Sequence, residues 1–279
     1  MNAEAPEVAG GVREERDILL KLYDKSVLKQ AKHAAIAAWL PDVRGKTCLD
    51  VGADNGVLSY LLRQRGGEWY SADLDARVVE SIQRMVGDRV YQFDGGRTGF
   101  ADRFFDVIVI IDFLEHIDAD KKFVAELRRI IKPDGMLIVN VPHYKPRSPI
   151  RLLRLMLGLT DEKHGHVRPG YTKRTLTDVL GPEFAVRAEH TYSKFFVELI
   201  DAGISFVFDR LNRSQTSQKG VVVTGEDMRK HAKKFRLFAM IYPIVWGMSQ
   251  LDRLLFFAPG YSLIVKAEPQ GSVSEQGAR

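Results

Sequence analysis

The stretch Thr47–Leu62, TCLDVGADNGVLSYLL, decides the fold. It predicts a short apolar strand over 47–51, a tight turn from Gly52 to Gly56, and an amphipathic helix that begins at Val57. A strand that turns sharply into a helix places backbone N–H groups and the positive end of the helix dipole beside the turn. The turn therefore indicates a site for a nucleotide-like or carboxylate-bearing ligand.

Apolar strands and amphipathic helices alternate after this turn. The nearly continuous apolar run FFDVIVII at Phe104–Ile111 is typical of a strand buried on both faces of a parallel sheet. The alternation predicts a doubly wound α/β fold with a mostly parallel, seven-stranded, Rossmann-like sheet. The predicted strands are 47–51, 68–72, 89–93, 104–111, 136–141, 184–189 and 261–267.

The segment between the last two predicted strands is far longer than an ordinary connection. We interpret it as an α-helical insertion, and we divide the chain at its borders. The expected parts are an N-terminal tail and helix (1–45), a ligand-binding Rossmann-like domain (46–192), the insertion (193–260), the last strand (261–267) and a disordered tail (268–279). The N-terminal part is predicted to be disordered as far as Val12 and helical over Glu14–Leu40. This helix covers either the ligand site or only an edge of the sheet.

Composition restricts the class of protein. The 279 residues carry a formal net charge of +5, which is only mildly basic, and no basic stripe interleaved with aromatic residues is present, so we expect no nucleic-acid partner. The single cysteine, Cys48, fits a reducing compartment and predicts a cytoplasmic protein. The N-terminal sequence MNAEAPEVAGG does not resemble a signal peptide, and no apolar run reaches the length of a membrane span.

Acidic residues recur at the ends of four predicted strands, at Asp50, Asp73, Asp94 and Asp112. Ligands of open α/β sheets bind along this edge. A row of carboxylates disfavours a pyrophosphate and suits hydroxyl groups, an ammonium and a sulfonium, which S-adenosylmethionine combines. The turn also departs from the G-x-G-x-x-G pattern of dinucleotide-binding proteins, because Asp54 occupies the place of the middle glycine.

At this point the chain resembles the class I S-adenosylmethionine-dependent methyltransferases. The resemblance covers about the middle third of the chain, and a Leu-Glu-His segment after the fourth strand makes it similar to a subgroup that includes ubiquinone-pathway O-methyltransferases. The matching motifs, in chain order, are LDVGADNG (Leu49–Gly56), SADLD (Ser71–Asp75), FDGG (Phe93–Gly96), FFDVIVIIDFLEHI (Phe104–Ile117) and ELRRIIKPDGMLIVNVP (Glu126–Pro142).

The resemblance implies S-adenosylmethionine as the cofactor, held at the strand ends. Asp73 would hold its ribose hydroxyls and Asp94 its adenine amino group, whereas the turn would line its methionine part. Considered by themselves, the residues leave open whether Asp50 contacts the ligand or only supports the turn, and they favour an N-cap role for Asp75. The chain departs from the family at Asp54, where a second glycine is usual. The cofactor-binding set is Asp50, Gly52, Asp54, Gly56, Asp73, Asp94 and Asp112.

Methyl transfer to oxygen requires an aligned acceptor and a base that removes its proton. We select His116 and His143 as the catalytic candidates, because they follow the fourth and fifth strands. His164 and His166 are further candidate bases.

The segment Asp112–His116 permits a second interpretation. Some small-RNA 2′-O-methyltransferases and some ubiquinone-pathway enzymes hold a divalent metal with two carboxylates and a histidine spaced like Asp112, Glu115 and His116, and a later loop supplies another histidine. His164 or His166 would supply it here. The alternative is that Glu115 and His116 only cap and orient the loop. We favour this alternative and assign no metal ligand.

Basic residues in the insertion lead directly into apolar helical stretches, LFAMIYPIVWGM (237–248) and LDRLLFF (251–257). This order is typical of a helix that lies in a membrane interface. The candidate membrane contacts are 229–257 and 151–159. A cap over the site and a homodimer interface remain the alternatives. The basic residues are Arg229, Lys230, Lys233, Lys234 and Arg236.

The sequence thus predicts an S-adenosylmethionine-dependent methyltransferase that acts on a small-molecule, lipid or lipid-linked acceptor at oxygen. It is expected in the cytoplasm, with peripheral association to the inner face of a membrane left open. The alternative is a non-catalytic S-adenosylmethionine-binding or membrane-adaptor protein that keeps the fold. A NAD-dependent oxidoreductase is disfavoured by Asp54 and Ser59.

Overall fold

A seven-stranded sheet forms the centre of the computed structural model, which describes residues 6–159, 166–211 and 232–271. The strand order is β3-β2-β1-β4-β5-β7-β6, and β7 runs antiparallel to both of its neighbours whereas the first five strands run parallel. The predicted doubly wound, mostly parallel fold is confirmed. The strands are β1 (Thr47–Val51), β2 (Glu68–Asp73), β3 (Val90–Gln92), β4 (Phe105–Ile111), β5 (Ile131–Pro142), β6 (Phe184–Tyr192) and β7 (Ser262–Pro269).

Helices cover both faces of this sheet. None of the described helices is long and apolar enough to cross a membrane. Within the described ranges, short 3-10 helices lie at Leu114–His116 and Leu251–Leu255. The α-helices are α1 (Pro6–Tyr23), α2 (Val27–Trp39), α3 (Val57–Arg63), α4 (Ala76–Val86), α5 (Asp120–Ile130), α6 (Pro149–Met156), α7 (Lys173–Leu180), α8 (Phe195–Leu211) and α9 (Ala232–Gln250).

The central strand β4 shows why its sequence is apolar throughout. Successive side chains of a strand point to opposite faces of the sheet. Ile110 therefore packs in the core cluster that contains Phe123 of α5, whereas its neighbour Val109 packs with Leu58 of α3 on the other face. Each such buried side chain stabilises the fold by about 1.5–3 kcal/mol. Burial on both faces makes β4 the support on which the ligand edge is built.

The N-terminal region differs from the prediction of a disordered tail followed by one helix. The helix α1 begins at Pro6, inside the stretch predicted to be disordered, and proline is well suited to a first helical position. The helix α1 ends at Tyr23 and α2 begins at Val27. Between them, the Ser26 side chain accepts a hydrogen bond from the backbone N–H of Lys29 and caps α2. This break between the helices lets α2 pack separately against the sheet.

The last two strands, β6 and β7, extend further at their C-terminal ends than the sequence predicts. β6 continues to Tyr192 and β7 to Pro269, because the two strands pair with each other from Phe184↔Pro269 to Tyr192↔Ser262. The predicted disordered tail therefore begins inside β7, and its residues 272–279 lie outside the part of the chain that the structure describes.

Candidate active site

The turn after β1 owes its two glycines to the packing of the protein itself. Gly52 has φ +85°, and a Cβ atom there would lie 2.3 Å from the carbonyl oxygen of Ile111 at the end of β4. Gly56 has φ +81°, and its Cβ atom would lie 2.8 Å from the Cα atom of Ile82 in α4. Both positions combine a left-handed backbone with a close approach, which glycine permits. The glycines thus seat the turn between β4 and α4.

Asp50 lies under this turn. Its side chain is fully buried, and its two oxygens accept hydrogen bonds from Ser59 Oγ at 2.6 Å and Ser71 Oγ at 2.9 Å. Burial raises the pKa of the Asp50 carboxyl to about 6, although both serine hydrogen bonds oppose the shift. This geometry favours support of the turn over direct contact with a ligand.

Two of the predicted ligand carboxylates follow β2 and β3. Asp73 is nearly buried, accepts a hydrogen bond from the backbone N–H of Asp75 at 3.1 Å, and has a pKa that burial raises to about 6. Asp94 is exposed and accepts from the backbone N–H of Gly96 at 2.8 Å. Asp75 itself accepts from the backbone N–H of Arg77 at 2.8 Å and caps α4, as its position predicts.

The strand order converts these residues into a row. Asp94, Asp73, the glycine turn and Asp112 stand at the ends of β3, β2, β1 and β4, which are neighbours in that order. Adjacent strands are about 4.8 Å apart, so the row spans about 14 Å. Carboxylates at the middle and at both ends fit an elongated ligand with hydroxyl groups at its centre and a cation at one end. S-adenosylmethionine has this shape and these groups.

Two lysines of α2 cover the end of the row at β1 and β4. Lys29 Nζ lies 2.9 Å from Asp54 Oδ2, and Lys32 forms an ion pair with Asp112. Asp112 also accepts a hydrogen bond from Asn140 Nδ2 at 2.7 Å. Burial alone would lower the pKa of Lys32, but the Asp112 carboxylate raises it above the ordinary lysine value. Neither lysine was predicted to belong to the site. Their spacing of three residues, which places both on one face of a helix, was the one indication in the sequence.

A cavity of about 430 Å³ adjoins Asp112, between α2, α6 and α8. His143, which follows β5, lines it. Its Nδ1 atom lies 2.8 Å from the carbonyl oxygen of Gly260, and burial lowers its pKa. Because a carbonyl oxygen only accepts, Nδ1 carries the proton and Nε2 keeps its lone pair. His143 is therefore a neutral imidazole with an acceptor nitrogen.

The 3-10 helix after β4 holds a second group of titratable side chains. Glu115 is fully buried, and neither carboxylate oxygen has a hydrogen-bond partner among the described residues. Burial, and then the charge of Asp112, raise the pKa of Glu115 well above its usual range. The rings of His116 and His166 meet edge to face at 4.8 Å between centroids. His164 lies outside the described residues.

One ligand atom from each of Glu115, His116 and His166 lies within 4.8 Å of the other two, a mixed O/N set that could hold a divalent metal. Asp112, the other carboxylate of the predicted metal set, is not in this group and pairs instead with Lys32. The assignment of no metal ligand stays a prediction.

A late loop brings His166 to this place. The backbone N–H of Val167 donates to the carbonyl oxygen of Glu115 at 2.9 Å. Arg168 forms an ion pair with Asp120 at the start of α5 and donates to the carbonyl oxygen of Ile117 at 2.8 Å. These contacts fasten the loop to the segment after β4, about fifty residues earlier in the chain. Sequence spacing alone could not distinguish His166 from His164.

Comparisons with known proteins point to a methyltransferase domain within this chain. The family model for the methyltransferase domain matches residues 49–139. The ubiquinone biosynthesis O-methyltransferase of Neisseria meningitidis serogroup C is 25% identical over 120 residues, which are 40% of this chain and 50% of that protein. The mitochondrial ubiquinone biosynthesis O-methyltransferase of Schizosaccharomyces pombe is 26% identical over 103 residues, which are 34% of this chain and 38% of that protein. The chain spans about half the length, or less, of the curated relatives it matches.

A solved structure extends the similarity over most of the fold. The S-adenosylmethionine-dependent methyltransferase of Mesorhizobium loti superposes with a TM-score of 0.53 and 16% sequence identity, over 85% of this chain and 97% of that one. At this identity the likeness concerns the fold.

Proposed function

We propose that this chain, in which residues 49–139 form a class I S-adenosylmethionine-dependent methyltransferase domain, transfers a methyl group from S-adenosylmethionine to an oxygen atom of a small-molecule, lipid or lipid-linked acceptor. One observation carries the proposal. The cavity that contains the neutral imidazole of His143 opens beside Asp112, at the methionine end of the carboxylate row. Donor and acceptor sites therefore meet at the ends of β4 and β5.

The residues divide the work of the reaction. When bound, S-adenosylmethionine supplies a methyl carbon that its sulfonium activates for in-line displacement by an acceptor oxygen. Asp73 and Asp94 bind and orient the nucleoside part, and the glycine turn lines the methionine part. His143 Nε2 takes the proton of the acceptor hydroxyl, while the Gly260 carbonyl holds the ring. His116, whose ring contacts that of the cavity-lining His166, is the second candidate base.

Labelled S-adenosylmethionine tests the proposed function. The full chain is incubated with the labelled donor and with cell extracts that are afterwards separated into lipid, glycan and protein fractions. We expect the label in the lipid fraction, in a bond stable to mild base as an ether is. Binding of the donor without label in any fraction would instead support the alternative, a non-catalytic S-adenosylmethionine-binding or membrane-adaptor protein.

The substitution His143→Gln tests the base. Loss of a positioned base lowers kcat by about 10²- to 10⁴-fold, and we expect the dissociation constant of S-adenosylmethionine to remain unchanged, because His143 lies on the acceptor side. The matched control is His190→Gln, an exposed histidine on β6. Equal turnover of His143→Gln and the parent chain would assign the base to another residue, with His116 as the next to test.

The same proposal includes peripheral association with the cytoplasmic face of a membrane. Large apolar side chains are exposed on α6, on α9, on the 3-10 helix that follows it and on the two residues after that helix; these two, Phe256 and Phe257, are 82% and 75% exposed. A bilayer is the occupant that also suits the five basic residues within 229–236, by attraction to anionic lipids. The proposed apolar surface is the set of these exposed side chains, namely Met240, Ile244, Trp246, Leu254, Phe256 and Phe257 with Leu152, Leu155 and Met156.

Flotation with phosphatidylglycerol-containing vesicles tests this surface. We expect the parent chain to float and the triple variant Leu254→Ser, Phe256→Ser, Phe257→Ser to remain at the bottom. Tyr91→Ser removes an exposed aromatic residue from β3, at the opposite edge of the sheet, and should still float. A parent chain that does not float, and that light scattering shows to be dimeric where the triple variant is monomeric, would assign the surface to a homodimer.

A further inference from the structure

The wall of the acceptor cavity combines apolar and aromatic surface with an unusual number of charged side chains. Among the described residues that line it, the uncharged apolar and aromatic ones are Leu28, Pro142, Tyr144, Pro169, Ile204 and Tyr261. Charged residues line the cavity from α2, α6, α8 and the strand ends. An apolar ring placed there would desolvate these charged groups without replacing their hydrogen bonds. The cavity therefore selects an acceptor with many hydrogen-bonding groups.

Two ion pairs line the side of the cavity that α8 forms. Lys145 Nζ lies 2.5 Å from Glu198 Oε2, and Arg154 Nη1 lies 2.7 Å from Asp201 Oδ2. Both carboxylates project from α8, three residues apart on one face, and both pairs are largely buried. Each pair places a hydrogen-bond acceptor directly beside a donor at the cavity surface.

This pairing discriminates between ligand classes. A hydroxyl group both donates and accepts, so it can bind beside a carboxylate and a cation at the same time. A phosphate or carboxylate group that approached Lys145 or Arg154 would also meet the carboxylate already paired with that cation, and this repulsion offsets the attraction. A phenol ring would offer one or two hydroxyls and a flat apolar face. A neutral group with several hydroxyls on adjacent carbons satisfies both pairs.

The helix α6 both lines the cavity and carries exposed apolar side chains. Arg151 and Arg154 line the cavity, whereas Leu152, Leu155 and Met156 of the same helix are exposed. An acceptor whose head group lies in the cavity would therefore have its remaining part beside a surface that suits lipid chains.

We infer that the acceptor is a neutral polyhydroxylated head group, a sugar or cyclitol, carried on a lipid, and that Lys145–Glu198 and Arg154–Asp201 recognise its hydroxyls. The inference rests on the proposed methyl transfer. One hydroxyl of the head group loses its proton to the base as its oxygen forms the bond to the methyl carbon, and S-adenosylhomocysteine leaves.

The site of the label decides the inference. The full chain is incubated with methyl-labelled S-adenosylmethionine and the lipid and glycolipid extract of cells that carry the gene. A short-chain prenyl catechol and free sugars serve as comparison acceptors in separate arms. The labelled lipid is then hydrolysed in acid. We expect the label to pass into the water phase as an O-methyl sugar or cyclitol.

Label that stays in the organic phase, or faster labelling of the catechol, overturns the inference but supports the proposed function. Labelling of free sugars as fast as of the extract overturns the lipid part. Absence of S-adenosylhomocysteine in every arm overturns both the inference and the proposed function.

Variants of the ion pairs test the recognition itself. Asp201→Asn should raise KM for the labelled lipid about tenfold, the effect of one lost hydrogen bond to a charged group, and leave the dissociation constant of S-adenosylmethionine unchanged. The control Asp178→Asn changes an exposed carboxylate of α7. Glu198→Gln, which changes the carboxylate of the other ion pair, applies if Asp201→Asn does not fold. An unchanged KM in both cavity variants would overturn the assignment of these groups.

Discussion

The two halves of the site are built from contacts of different range. At the end of the cofactor edge formed by β2 and β3, the carboxylates bond to groups near them in sequence, as Asp94 does with the backbone of Gly96. In the acceptor half, the wall depends on pairs such as Lys145–Glu198, which join residues about fifty positions apart. The difference explains why the cofactor half can be inferred from short motifs, whereas the acceptor half emerges only when α6 and α8 are packed together.

The largest expected effect concerns the turn that the cofactor half depends on. Gly52→Ala should lower the free energy of unfolding by about 3 kcal/mol or more, because a Cβ atom meets the Ile111 carbonyl oxygen and the backbone is left-handed. Gly45→Ala has a similar positive φ but open space around the added atom, so it should cost only about 1 kcal/mol. Urea unfolding of both variants measures the difference. Equal losses would mean that the close approach to β4 is unimportant.

Next in size is the loss of a ligand contact. Asp73→Asn should weaken binding of S-adenosylmethionine about ten- to hundredfold, through weaker hydrogen bonds to the ribose hydroxyls. The melting temperature of the ligand-free chain should not fall near pH 7, because burial already disfavours the charged form of Asp73. Calorimetry compares the variant with Asp75→Asn, which keeps the cap of α4 and should bind normally. Equal affinities of the two variants would remove Asp73 from the site.

A smaller effect follows from pH. Burial raises the pKa of Asp73 to about 6, so the carboxylate that accepts the hydroxyl hydrogen bonds is mostly protonated at pH 5 and ionised at pH 7.5. Affinity for S-adenosylmethionine should therefore rise about tenfold between these values. Asp73→Asn should flatten the profile, and calorimetry at each pH measures it. An equally steep profile in the variant would assign the titration to another group.

The smallest expected effect is that of a chelator. We predict unchanged turnover after EDTA treatment, because burial disfavours the charged form of Glu115 that metal binding requires, and because Asp112 pairs with Lys32. Turnover of the treated chain, with and without added Mg²⁺, Mn²⁺ or Zn²⁺, is the measurement. Loss of activity that one of these ions restores would give Glu115, His116 and His166 the role of metal ligands.

Much of the fold was predictable for a physical reason. Strands such as β4 are buried on both faces, so their sequences are continuously apolar, and the tight turn after β1 requires glycine at fixed places. The N-cap role of Asp75 was predictable too, since capping depends on a few neighbouring residues. These features depend on residues close together in the sequence, so the pattern of residue types within a short segment predicts them.

The remaining features depend on contacts between distant segments. Lys29 pairs with Asp54 and Lys32 with Asp112. These contacts form because α1 and α2 are separate helices, so that α2 can pack over the strand ends. Asp252, which accepts from the backbone N–H of Phe196 at 2.8 Å, holds the start of α8 from a position more than fifty residues later. The spacing of the two lysines places them on one face of a helix, but nothing in the sequence identifies the partners of these side chains.

Calorimetric titration of the full chain with S-adenosylmethionine, and separately with NAD, tests the central claim most directly. The row from Asp94 to Asp112 predicts one S-adenosylmethionine molecule bound per chain and no measurable heat with NAD. Binding of NAD, with none of S-adenosylmethionine, would contradict the assignment of the carboxylate row and with it the proposed methyl transfer.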